Sequence, residues 1–167
     1  MSADATDILT AVKSVLTALY PAIPVMVSKR RAASERNMAG GFQEGFPSTC
    51  FVVSCGEPEE IAKLSTFTRY AVGYPVSVEY VRPAQAAVAN APNGGAATVV
   101  EDPDVREKRA AIRAALYKPK LAGASAVFNV THRSLGVYDS PGDGKAVRLV
   151  SGELFIYSTT EPRPVVA

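Results

Sequence analysis

The residues best equipped for chemistry in this chain are one histidine, two cysteines, a glutamate cluster and a glycine–lysine turn. His132 could serve as a general base, and together with Cys55 it would form a Cys–His nucleophile pair. A serine hydrolase would need its nucleophile on a tight strand-to-helix turn, typically Gly-x-Ser-x-Gly. That motif is missing, and Ser54-Cys55-Gly56 is only a faint echo of it. A histidine on a sheet face is the preferred reading of His132. Pro141-Gly142-Asp143-Gly144-Lys145 invites comparison with a phosphate loop, which requires Gly-Lys-Ser/Thr running into a helix. Here Ala146 follows the lysine and a strand comes next, so the segment reads as a hairpin turn. Glu57, Glu59 and Glu60 lack the alternating Asp/Asn and the glycine of a calcium loop and read as a solvated face. Cys50 and Cys55 are five positions apart, an odd spacing that puts them on opposite faces of a strand. They are expected to be buried free thiols. No catalytic residue, metal site or cofactor is expected.

Two basic groups remain. Lys29, Arg30 and Arg31, with Arg36, open a glycine-rich stretch that also carries Phe42 and Phe46. Such a stretch can order on an acidic neighbour. With Asn93 from a second such stretch, these residues are candidates for a subunit or partner interface. Arg106, Arg109 and Arg113 recur at helical spacing and are candidates for phosphate contact. Glu101, Asp102, Asp104 and Glu107 offset them near the start of the same helix, an arrangement that the helix dipole alone would favour.

The elements that must position these residues are legible. Ile8, Leu9, Val12, Val15, Leu16 and Leu19 form one apolar helical stripe, which Pro21 and Pro24 end. Pro24 to Ser28 reads as a strand and Ser48 to Ser54 as a strongly apolar one. Thr66 to Arg82 reads as extended, as two strands around Gly73-Tyr74-Pro75, with the second half-buried. Asp102-Pro103 starts a second helix, with Val105, Ile112 and Leu116 on its apolar side and Arg106, Lys108, Arg109 and Arg113 over much of the rest. Ser125 to Arg133 and Val147 to Thr159 read as closing strands, with a bulge at Gly152 and a tail from Glu161 along the surface. The fold class is α+β: a mostly antiparallel sheet with two main helices packed on it. It forms a single domain, 1–167, with long extended loops or arms at 29–47 and 83–102. Structureless stretches of that length are uncommon within compact domains and are usually functional or disordered.

Composition narrows the function classes. Hydrophobic residues at 47% and charged residues at 20% fit a soluble globular chain. A net charge of +2 is too small to argue for nucleic acid or an acidic membrane as main partner. No apolar run reaches membrane-spanning length. Met1-Ser2-Ala3-Asp4 lacks the features of a secretory signal, so a cytoplasmic setting is expected.

The order of elements resembles the tail terminator, or tail-completion, proteins of tailed bacteriophages. Ile8-Leu9-Thr10-Ala11-Val12 through Tyr20-Pro21-Ala22-Ile23-Pro24-Val25 is similar to that family's amphipathic helix, proline-bounded turn and first strand. The helix from Asp102 to Tyr117 follows a sheet, and Tyr138 through Tyr157 is similar to the family's closing strand. The resemblance implies a structural virion protein at the head–tail junction, assembled in the host cytoplasm. It would form a ring, commonly six-fold, that caps the tail tube and joins it to the head connector. The implied partners are further copies of the chain, the tail tube protein, the head-completion or connector protein and DNA passing through the lumen; no membrane is implied. Another neck-ring component or a DNA-contacting lumen module is the alternative. A small enzyme using Cys55 or His132 is the competing class.

Overall fold

The structure, a computed structural model, describes residues 5–28, 47, 49–83, 103–118, 121, 124, 126–140 and 148–162, with backbone only at 138–140 and 148. Apart from Pro47 and Pro83, the expected arms lie outside the described residues. So do Lys29, Arg30, Arg31, Arg36, Phe42, Phe46 and Asn93.

The chain is α+β, as its pattern indicates. Helix α1 (Ala5–Leu19) is followed by β1 (Val25–Val27), β2 (Cys50–Cys55) and the short β3 (Glu59–Glu60). A 3₁₀ turn (Ala62–Leu64) leads to the long strand β4 (Arg69–Pro83), then α2 (Pro103–Leu116) and the pair β5 (Asn129–Ser140) and β6 (Arg148–Pro162). One six-stranded sheet runs β1-β2-β4-β6-β5, with β3 paired to the first part of β4. Only β1–β2 is parallel among these pairings.

Both helices pack on one face. Ile8, Val12 and Leu16 of α1 and Val105, Ile112 and Leu116 of α2 join Phe51, Val53, Val76, Val78, Phe155 and Tyr157 in one core. Alternation along the strands sends Cys50, Val52, Val81 and Val150 to the other face, where they form a second buried cluster with Met26. The half-buried reading of the second part of β4 is therefore corrected. Ser77, Glu79 and Val81 are as buried as their neighbours on the helix side.

Two further expectations change. Thr66 to Arg82 is not two strands; Arg69–Pro83 is one, paired with β6 along its whole length. Proline in a central strand normally costs a ladder hydrogen bond. Pro75 avoids this because a residue's N and O point to the same side of an antiparallel strand. The Pro75 carbonyl accepts from Gly56 N at 2.8 Å on the β2 side, so the missing N–H faces that side too. There β2 pairing ends at Val76 and β3 pairing begins at Gly73, so no donor is needed. The bulge also moves. The register slips on β5 between Ser134 and Gly136, directly across from Gly152. Gly136 takes φ 90°, which favours glycine. A side chain at Gly152 would meet Leu135 Cβ at 3.1 Å. The slip reverses the alternation of β5, so Val137 turns to the helix side, as Val130 does earlier. Strand β5 thus extends well past Arg133 and β6 past Thr159, taking in Glu161 and Pro162 from the expected tail. Tyr70 Oη donates to Glu161 Oε2 at 2.7 Å there.

Leu16 is fully buried in this core. Leu16→Ala should lower stability by about 2–5 kcal/mol in urea unfolding; a loss of a few tenths would contradict the packing of α1.

Candidate functional site: the polar seam under helix α2

Helix α2 is amphipathic, but its buried side is not purely apolar. Lys108 is buried with Val105, Ile112 and Leu116, so it does not belong to the solvated basic face that its type suggested. Its ammonium lies 2.9 Å from Asp104 Oδ1, one helical turn earlier, and 4.5 Å from the centre of the Tyr20 ring. Asp104 also accepts from Tyr80 Oη at 2.7 Å and from Arg82 Nη1 at 3.1 Å. Burial alone would raise the Asp104 pKa. The hydrogen bonds from Lys108 and Tyr80, with the charges of Lys108 and Arg82, outweigh it and hold the carboxyl below its ordinary value.

Further along the helix, Arg109 Nε donates to Glu153 Oε1 at 2.9 Å. Glu153 is 1% exposed, in the middle of β6, on the same row as Leu149, Phe155 and Tyr157. Its other oxygen pairs with His132 Nε2 at 2.6 Å. Arg113 Nη2 stands 3.6 Å from Oε1, with half its side chain in solvent. Arg109 Nη2 also donates to Ser134 Oγ, which accepts from Gly136 N at 3.3 Å and so ties the bulge into the seam. The His132 ring lies between Phe155, 5.0 Å away, and the edge of Tyr117 at 5.9 Å. At the end of α2, the buried Tyr157 hydroxyl donates to the Leu116 carbonyl at 2.8 Å, satisfying a terminal group of the helix. Burial raises the Tyr157 pKa, which keeps the phenol protonated as a donor.

Chemically this seam is a clamp. The His132–Glu153 pair has the form of an oriented base, yet Ser134 is engaged by Arg109 and not by His132. Cys55 is on the same sheet face as His132, in the same row: Cys55 pairs with Val76, Val76 with Phe155 and Phe155 with His132. Three strand spacings separate them by about 14 Å. Burial, and then Glu57, raise the Cys55 pKa and disfavour a thiolate. The structure thus does not bring the Cys–His pair together. No disulfide joins Cys50 and Cys55, which belong to opposite faces; Cys50 is buried as expected, whereas Cys55, at the end of β2, is only partly buried. Glu59 and Glu60 form an exposed short strand, and among the described residues no group of acids, histidines or cysteines could hold a metal ion. Lys145 and its neighbours lie outside the described residues, but the strands on either side pair with each other, Ser140 with Arg148, as a hairpin requires.

Arg106, Arg109 and Arg113 do share a surface. With Val105 and Ala110 they line a shallow concavity of about 290 Å³ on α2. Arg109 is committed to Glu153, while Arg106 is exposed and Arg113 half-exposed, leaving these two best placed for an external anion. Comparison with known protein families and with curated proteins finds no match.

Two outcomes test the seam. Glu153→Ala strands Arg109 and His132 without their carboxylate and should cost about 3–5 kcal/mol, whereas exposed Arg106→Ala should stay within about 0.5 kcal/mol. The Asp104 pKa is lower folded than unfolded, so its contribution is complete above the unfolded value of about 4 and lost as pH falls through the folded value. Thermal melts should therefore show Asp104→Asn well below wild type at pH 7, with the gap closing in acid below pH ~4. A gap that widened in acid would contradict the assignment.

Proposed function

We propose that this chain is a structural protein of a phage head–tail junction, a tail terminator that forms a ring on the end of the tail tube. The observation that carries the reading is the element order. An amphipathic helix leads through a proline-bounded connector into an edge strand, then an antiparallel sheet, a second helix and a closing hairpin, with both helices on one face. This is the order that resembles the family. The seam supports a structural role, because its charged groups are spent on fixing α2 to three strands. A ring uses heterologous contacts, in which one surface meets a different surface on the next copy. The long segments at 29–47 and 83–102 supply chain for such contacts, with Lys29, Arg30, Arg31, Arg36, Phe42, Phe46 and Asn93 as contact candidates. The tail tube and head connector would meet the ring's two faces.

A second reading has its own observation. The concavity at Arg106 and Arg113 favours a module that touches DNA in the lumen.

Native mass spectrometry of the full chain over rising concentration tests the first reading: a closed oligomer of about six copies is expected, and an open ladder of every size would contradict it. For the second, duplex-DNA affinity should fall with salt, and Arg106→Ala with Arg113→Ala should make the slope of log K against log salt shallower by about 1 for each phosphate that is no longer neutralised. Unchanged slopes would remove DNA binding from this helix.

A further inference from the structure

Two exposed apolar features among the described residues lie outside the seam and differ in shape, one concave and one projecting. The first is a groove of about 820 Å³ along the outer side of α1, lined by Leu9, Thr10, Lys13, Ser14, Ala18 and Val27 among others. That volume is in the range of sites that bury a sizeable apolar group, about 300–1,000 Å³. Its polar residues are largely self-satisfied. Thr10 Oγ1 donates to the Thr6 carbonyl at 2.8 Å, Ser14 Oγ to Thr10 at 2.9 Å and Thr17 Oγ1 to Lys13 at 2.8 Å. The hydroxyl protons turn inward along the helix, and the wall presents carbon, with Val27 51% exposed at its edge. Among the described residues lining it, Lys13 is the one that carries a charge.

The second feature is Phe67, 96% exposed. A large apolar side chain this bare is the kind of residue that anchors an interface. It stands on a firm mount. Thr66 N donates to the Arg69 carbonyl at 2.7 Å, and Arg69 N returns a bond to Thr66 Oγ1 at 3.2 Å, closing the turn under the ring. With the backbone of the turn already closed, seating the ring orders only its side-chain torsions. The chain around this turn carries Glu57, Glu59 and Glu60 against Lys63 and Arg69, an acidic excess that complements Lys13. Groove and anchor belong to different elements of one chain, and the bare ring shows that Phe67 does not occupy its own groove.

We propose that Phe67 of one copy seats in the groove beside α1 of the next copy, giving a head-to-tail interface between identical chains. The inference rests on the ring reading for its biological setting, but the contact itself is separately testable. The two surfaces differ, so the interface is heterologous and propagates from copy to copy, as a ring demands.

The test uses complementary blocking of the full chain, read by native mass spectrometry and sedimentation velocity. Phe67→Asp removes the anchor and Ala18→Arg fills the groove. Both positions are exposed, and unchanged thermal melts verify folding. Each variant alone should lose self-association at least tenfold, as for an anchor residue. An equimolar mixture should form a dimer and nothing larger, since one copy keeps the groove and the other keeps Phe67. Lys13→Glu should weaken association as a second groove variant, and Glu59→Lys should restore it in part. Wild-type rings that persist in both blocked variants would overturn this interface and leave the ring reading standing. Complementing dimers beside an open-ended wild-type chain series would sustain the interface and contradict the ring. A wild-type chain that remains monomeric at every concentration would overturn the interface.

Discussion

A carboxylate with 1% exposure in the middle of a strand needs company, and Glu153 sets the terms for the rest of the molecule. An uncompensated buried charge costs several kcal/mol, so its neighbours must supply cations and hydrogen bonds. Arg109 comes from α2 and His132 from β5, which fixes the helix against two adjacent strands. Asp104 does the same near the start of α2 through Tyr80 and Arg82 of β4, and Tyr157 does it at the end through the Leu116 carbonyl. Val105, Ile112 and Leu116 pack α2 against the core, and the polar contacts add directional constraints to that packing. These contacts fall at three different heights along α2.

The sheet provides the platform for this clamp. Its central strand β4 pairs with β6 over its full length, while β2 and β3 share its other edge. The gap between them falls where Pro75 has no N–H to offer. Across from Gly152 the bulge in β5 changes which side chains face the helix, and it does so beside Ser134, which Arg109 holds. Bulges of this kind re-aim side chains next to sites, and here the re-aimed strand is the one that brings His132 and Ser134 to α2.

Much of this is legible in the sequence, and the exceptions have physical reasons. The stripe of α1 follows from local periodicity, and Ile8, Val12 and Leu16 are buried as that stripe requires. The opposite faces of Cys50 and Cys55 follow from strand alternation. The joint surface of Arg106, Arg109 and Arg113 follows from helical spacing. Glu153 carries a faint signal, a charge on the period-2 apolar row of Leu149, Phe155 and Tyr157, which marks a buried acid only once the row is known to face the helices. Its partners are beyond local pattern, because Arg109 lies 44 residues and His132 21 residues away in sequence. Lys108 has the type of a solvated residue; its pairing with Asp104 follows from i, i+4 spacing on the helix, but its burial depends on Tyr20 and Tyr80, which only the fold places around it. Gly73 and Pro75 read as a break in β4 because local propensity takes no account of which edge is unpaired.

A chain whose buried charges hold helix to sheet, and whose Cys–His pair is split across the sheet, fits a part that must keep its shape under assembly. The central functional proposal concerns place: that the protein caps the head-proximal end of a tail tube. The most direct measurement is electron microscopy of intact particles and free tails labelled with gold-coupled antibody to this chain. The account predicts one cluster of label per tail, at the end that meets the head. Label spread along the tube, at the far tip, or absent from particles altogether would contradict it.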